Sequence, residues 1–139
     1  MVIREEQIAA FERKAQGGFA AELADYVRTQ HGSVIVRLPG ERVPVSAIPR
    51  PKLEALVQAG IERAGSHGLR WRSATASFVV TMFVIAPNFD EDRRVSELLS
   101  DVDIQPNYRM DSARRRLTED QWNAIRQQYN VNSWGIHRE

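Results

Sequence analysis

Between Ser73 and Pro87 the chain reads "SATASFVVTMFVIAP", a stretch that is apolar on nearly every side. Only a membrane or a protein core accommodates such a segment. A spanning helix needs roughly 20 apolar residues. The longest apolar stretch here extends only from Phe78 to Ala86 and is interrupted by Thr81, so the core is the remaining choice. The valines argue for a strand, but the segment is longer than a typical strand. Ser73 is suited to cap a helix, and Pro87 must end one. These features predict a buried central helix over about 73–86, because a helix apolar all round belongs in an interior. A chain of 139 residues is one domain by its length and can bury a real core unaided. The fold class that follows is mainly α: a single-domain helical bundle (1–139) wrapped around that rod.

The flanking sequence supplies the wrapping. Ile8, Phe11, Ala15, Phe19, Leu23 and Tyr26 recur at spacings of three and four, one stripe of an amphipathic helix. The stripe runs through Gly17 and Gly18, so it predicts one long helix bent at the glycine pair, with two helices as the alternative. His31 and Gly32 mark its end, with Gly32 suited to a positive φ. Prolines 39, 44 and 49 then forbid a helix, and 33–50 reads as a small β-hairpin or an ordered Pro-rich loop. Pro51 opens the next helix. Leu53, Leu56, Val57, Ile61 and Ala64 are its inner face, Gly60 permits close approach of a neighbour, and Gly68 ends it after His67. Val95, Leu98, Leu99 and Val102 suggest a short helix. Thr118 and Gln121 form a capping box before Trp122, Ile125 and Tyr129. The tail, 130–139, carries Trp134 in a position to fold back onto the bundle.

Several function classes are excluded by what the sequence contains. There is no cysteine, which removes disulfides, thiolate metal sites and cysteine nucleophiles and fits a reducing cytoplasm. The charged start lacks the pattern of a secretory signal. Net charge is +1 and evenly spread, so no long-range field favours nucleic acid or an anionic membrane. Serines do not fall in a nucleophile elbow, and no glycine-rich phosphate loop is present. His31, His67 and His137 have no histidine at helical metal spacing. No cofactor or metal is expected.

Three constellations remain. Asp90, Glu91 and Asp92 are followed at once by Arg93 and Arg94, which would repel a cation; the acids read as a helix N-terminus. Arg70, Trp71 and Arg72 combine an aromatic with arginine forks, the residue types of binding hot spots. The core reading of Trp71 is the stronger, an exposed anchor the alternative. Arg109, Arg114, Arg115 and Arg116 form a basic face, diluted by Asp111, Glu119 and Asp120 and lacking interleaved aromatics. That face suits solvent or an acidic partner better than nucleic acid.

The segments "IREEQIAAFERKAQGGFAAEL", "VQAGIERAGSHGL" and "MFVIAPNFDEDRRVSELL" resemble a group of small uncharacterised helical bacterial proteins associated with type VI secretion effector clusters. The resemblance is carried by Ile3, Arg4, Glu6, Gln7 and Phe11; by Gly60, Ile61, Arg63, Ala64 and Gly68; and by Met82, Phe83, Val84, Phe89 and Asp90. It ends at Leu99, and 33–50 is richer in proline than the group's pattern. The resemblance implies an accessory role, as immunity protein, adaptor or effector chaperone, and brings no catalytic residues with it. The expectation is therefore a non-enzymatic, cytoplasmic protein that binds a partner polypeptide through Arg70, Trp71, Arg72, Arg109, Arg114, Arg115 and Arg116. A second copy of the chain is a further candidate partner. The alternative is an enzyme or toxin whose site is assembled from distant residues around Asp90, Asp92 and His67.

Overall fold

A computed structural model describes residues 18–135. The described chain is mainly helical with one hairpin. In order it forms α1 (Phe19–His31), β1 (Ile35–Leu38), β2 (Glu41–Pro44), α2 (Arg50–Ser66), α3 (Arg72–Val84), α4 (Arg93–Leu99), α5 (Arg109–Arg116) and α6 (Glu119–Gln127). Short 3-10 turns stand at Val45–Ala47, Phe89–Glu91, Pro106–Tyr108 and Val131–Trp134.

The central rod is α3. Every residue from Ala74 to Phe83 is buried. Thr81, fully buried, satisfies its hydroxyl by donating to the Ser77 carbonyl one turn back (2.7 Å). Ser73 is not the cap: the helix begins at Arg72 with Trp71 as N-cap, and Asn107 Oδ1 accepts from the Arg70 and Trp71 amides (2.8 Å each). The other end closes at Ile85, two residues before Pro87, whose ring disfavours helical backbone at Ala86.

α2 lies against α3 at Gly60. A Cβ there would sit 3.1 Å from both Met82 Sδ and Val79 Cγ2, so the glycine sets how closely the two helices approach. Beyond Ser66, the Leu69 amide bonds back to the Ala64 carbonyl and the Gly68 amide to that of Gly65, which closes the helix and turns the buried Leu69 inward.

The long first helix is corrected at Gly18. That residue is the N-cap of α1 with φ 85°, a left-handed conformation that no continuous α-helix passes through. The stripe positions before it, Ile8 to Ala15, lie outside the described residues. Within α1, Leu23, Ala24 and Val27 are buried, while Phe19 and Tyr26 are half-buried at its margin. Gly32 has φ −61° and not the positive value expected of it.

Residues 35–44 form the hairpin. The two strands are antiparallel, with Val36 opposite Val43 and Arg37 opposite Arg42, joined through Pro39 and Gly40. Val36 and Leu38 point into the core and Ile35 and Arg37 outward, the alternation that a pleated strand requires. Trp134 folds back as expected, fully buried, its ring 4.8 Å from that of Phe83. Its indole Nε1 donates to the Arg37 carbonyl (2.9 Å) and the Tyr129 hydroxyl (3.0 Å).

The capping box of α6 is present in full. The Gln121 amide donates to Thr118 Oγ1 (3.2 Å) and the Thr118 amide to Gln121 Oε1 (2.9 Å). Thr118→Ala is expected to lower the unfolding free energy by about 1 kcal/mol, read from the urea midpoint at unchanged slope. Among the described residues no helix is long and apolar enough to cross a membrane.

Candidate functional site

Two sites emerge, at different places on the bundle. The first gathers around the Trp71 end of α3. Trp71 is 42% exposed and Tyr108 51% exposed. Their rings meet edge to face, 5.1 Å between centroids and 84° between planes. The exposed alternative for Trp71 thus replaces the core reading. Asn107 holds the backbone beneath Trp71 and directly precedes Tyr108, so the pair stands on a fixed base.

The arginines expected on this surface separate into two groups. Arg70 is exposed. Arg115 is exposed, pairs with Asp111 at 3.2 Å and lies about two helical turns beyond Tyr108, the N-cap of α5. Arg116 is exposed at the end of α5. Arg72 is half-buried, its guanidinium 4.8 Å from the Phe19 ring centre. Arg114 is largely buried against Asp111 (3.1 Å). Arg109 is withdrawn from the candidate surface: its guanidinium donates to the carbonyls of Leu99, Asp101 and Ile104 at 3.0–3.1 Å and so binds down the end of α4. Of the basic run, Arg109 is an internal brace, while Arg115 and Arg116 stay on the surface.

The second site lies at the far end of α2. Arg63 and His67 are four residues apart and therefore share a face of the helix. Both reach Asp90 in the turn after α3. Asp90 Oδ2 accepts from Arg63 Nε at 2.7 Å and bonds His67 Nε2 at 2.8 Å. The Asp90 side chain is only 3% exposed, and its other oxygen, Oδ1, has no hydrogen-bond partner among the described residues. Burial pushes the Asp90 carboxyl up, but the bonds from His67 and Arg63 and their charge outweigh it, leaving the group below the ordinary aspartate value. Arg63 Nη1 also donates to the Ser133 carbonyl (3.1 Å) and approaches Glu91 through Nη2 (3.5 Å). His67 leans on Phe78 and Phe78 on Phe89, at centroid distances of 5.5 and 4.9 Å.

The structure therefore brings Asp90 and His67 together and leaves Asp92 apart. Asp92 is the N-cap of α4, accepting from the Arg94 amide (2.9 Å), as expected of an acid at a helix N-terminus. The Arg94 guanidinium adds two bonds at 3.0 Å and draws its carboxyl below the usual value. Asp90 is no cap; it is the buried node of an ion cluster. Chemically, a histidine oriented by a carboxylate is half of a general-base arrangement. Ser66, the neighbouring hydroxyl in sequence, is committed elsewhere, donating to the Arg63 carbonyl (2.5 Å). Among the described residues no group of three or more histidines, aspartates or glutamates is placed to hold a metal ion. His31 is partly buried, which lowers its pKa, and packs against Tyr26; His137 lies outside the described residues.

Sequence reasoning missed Arg63 as the partner of Asp90, and Asn107 and Tyr108 as the support of Trp71. The local signal for the first was an aspartate following a phenylalanine that had to be buried. For the second it was the "PNY" turn, an asparagine beside an aromatic. Compared with protein-family models, curated proteins and solved structures, the chain matches none.

Proposed function

We propose that this chain is a non-enzymatic accessory protein that holds a partner polypeptide through the Trp71–Tyr108 pair, with Arg70 and Arg115 at the margin. The observation that carries this reading is the exposure of two large aromatics on a rigid base. In the same domain Phe78, Phe83, Phe89 and Trp134 are all buried. Trp, Tyr and Arg are the residues on which binding energy concentrates. A side chain already fixed before binding loses less entropy on docking. The resemblance noted above points to an effector or a component of a type VI secretion apparatus as the partner. The role would be that of immunity protein, adaptor or effector chaperone, acting in the cytoplasm. A stable complex would bury about 1,200–2,000 Å² in total.

The test is a tagged full-length chain recovered from its host, with partners identified by mass spectrometry. One stoichiometric partner is expected with the native chain. With Trp71→Ala it is expected to be lost, through a weakening of at least about thirtyfold, while the unfolding midpoint stays close to native. Retention of the partner by a folded Trp71→Ala chain overturns the proposal.

A second reading, an enzyme or toxin using His67 and Asp90, is favoured by one observation, their 2.8 Å contact. It predicts that a folded His67→Gln chain loses its cellular effect while still binding whatever Trp71 binds.

A further inference from the structure

The outer face of the hairpin, the C-terminal end of α3 and the end of α6 enclose a cleft of about 440 Å³. Three arginines line it, Arg37, Arg42 and Arg126, and no aspartate or glutamate among the described residues does. The volume lies within the range of small-ligand pockets. This cleft is separate from the Trp71 surface: α3 has 13 residues, so its two ends are about 20 Å apart.

The arrangement of the arginines is costly in the absence of an anion. Arg37 and Arg42 face each other directly across the hairpin. The Arg37 amide and carbonyl bond the Tyr129 hydroxyl (3.1 and 2.9 Å), so Arg37 and Arg42 form a pair without mutual backbone hydrogen bonds, the kind whose side chains approach closest. Like charges directly opposite one another destabilise a hairpin. Relief from the neighbouring acid is absent, because Glu41 is turned onto Lys52 (2.6 Å). Arg37 is held in place by stacking on Tyr129, 4.3 Å from the ring centre. Arg126 reaches the Val84 carbonyl (3.5 Å) and Asn123 Oδ1, and so offsets the partial negative charge of the α3 C-terminus at the cleft floor. Beside the charges stands Ile35, 49% exposed, with Val84 half-buried at the floor.

We propose that this cleft binds a carboxylate carried on a short apolar body, the carboxylate between Arg37 and Arg42 and the apolar part against Ile35 and Val84. Planar guanidinium forks match a carboxylate in bidentate geometry. A free acid and the carboxyl terminus of a polypeptide ending in an apolar residue present the same chemistry.

The test is a titration of the full-length chain followed by NMR of the arginine Nε–H signals. Hexanoate is expected to shift Arg37, Arg42 and Arg126 saturably, and hexanol to leave them in place. A blocked pentapeptide ending in leucine is compared as free carboxylate and as amide. Preference for the free-carboxylate peptide over hexanoate identifies a chain terminus as the source, and the reverse identifies a small acid. Arg42→Thr is expected to weaken hexanoate or peptide binding by about tenfold or more and, by removing the repulsion, to raise the unfolding midpoint of the free protein. Arg93→Gln, exposed on α4 and outside the cleft, should change neither. The proposal is overturned if neither carboxylate saturates these signals at millimolar concentration, if hexanol binds as hexanoate does, or if Arg42→Thr binds like the native chain. Should Arg42→Thr misfold, Arg126→Gln supplies the same comparison.

Discussion

Replacing Arg63 with methionine is expected to cost the fold roughly 3 kcal/mol at neutral pH. The change removes one of the two groups that keep Asp90 ionised while leaving its 3%-exposed carboxylate in place. His67 alone then faces a charge that burial disfavours. The pH dependence has a definite sign. The folded-state pKa of Asp90 is depressed, so its contribution is present above the unfolded value of about 3.9 and is lost as pH falls through the folded value. Arg63→Met should therefore be most damaging near neutrality and much less so at acid pH, where the buried carboxyl of the variant, released from Arg63, takes up a proton. The double variant Arg63→Met/Asp90→Asn should recover a good part of the loss, because no buried charge remains unmatched. Urea unfolding at several pH values checks all three statements. An equal cost at pH 3 and pH 7 would show that Arg63 acts through packing and not through the charge of Asp90.

Trp134→Ala should cost about 3–5 kcal/mol, the range for removing a large buried aromatic from a core. Trp134 is fully buried against Phe83, and its indole bridges the Arg37 carbonyl and the Tyr129 hydroxyl. It is the point at which the turn after α6 clasps a hairpin nearly a hundred residues earlier. Its loss is expected to be felt first in β1 and β2. Hydrogen exchange of the Val36 and Val43 amides should accelerate more than that of the α3 amides. If exchange rises equally in both places, the tryptophan supports the whole core and not the hairpin in particular.

These two sites also show where sequence pattern stops being informative. The buried rod was legible because its cause is local: a run apolar on all sides, too short for a bilayer and closed by Pro87. The capping box at Thr118 and the close approach at Gly60 were legible for the same reason. Residues 35–44 were ambiguous because two four-residue strands carry little periodicity, and the packing of Val36 and Leu38 on the core decides the matter. The break at Gly18 was hidden by a hydrophobic stripe that continued across it. At the candidate sites the partners are distant in sequence. Asp90 meets Arg63 across 27 residues, and the Trp71 amide meets Asn107 across 36. The acid run was read correctly for Asp92, whose cap is local, and not for Asp90, whose partners are not. Arg109 was counted with its basic neighbours, although tertiary structure spends it on carbonyls. The expectation of a partner-binding surface at Trp71 remains a proposal.

A two-stranded ribbon normally offers neighbouring molecules two rows of vacant amides and carbonyls, an invitation to template growth into fibrils. Here the phenol of Tyr129 and the indole of Trp134 occupy that row on one flank at Arg37, and Pro44 on the other flank has no N–H to extend. The aromatic clasp thus guards colloidal solubility as well as shape, and a chain that lost it would be exposed to self-association through its own hairpin.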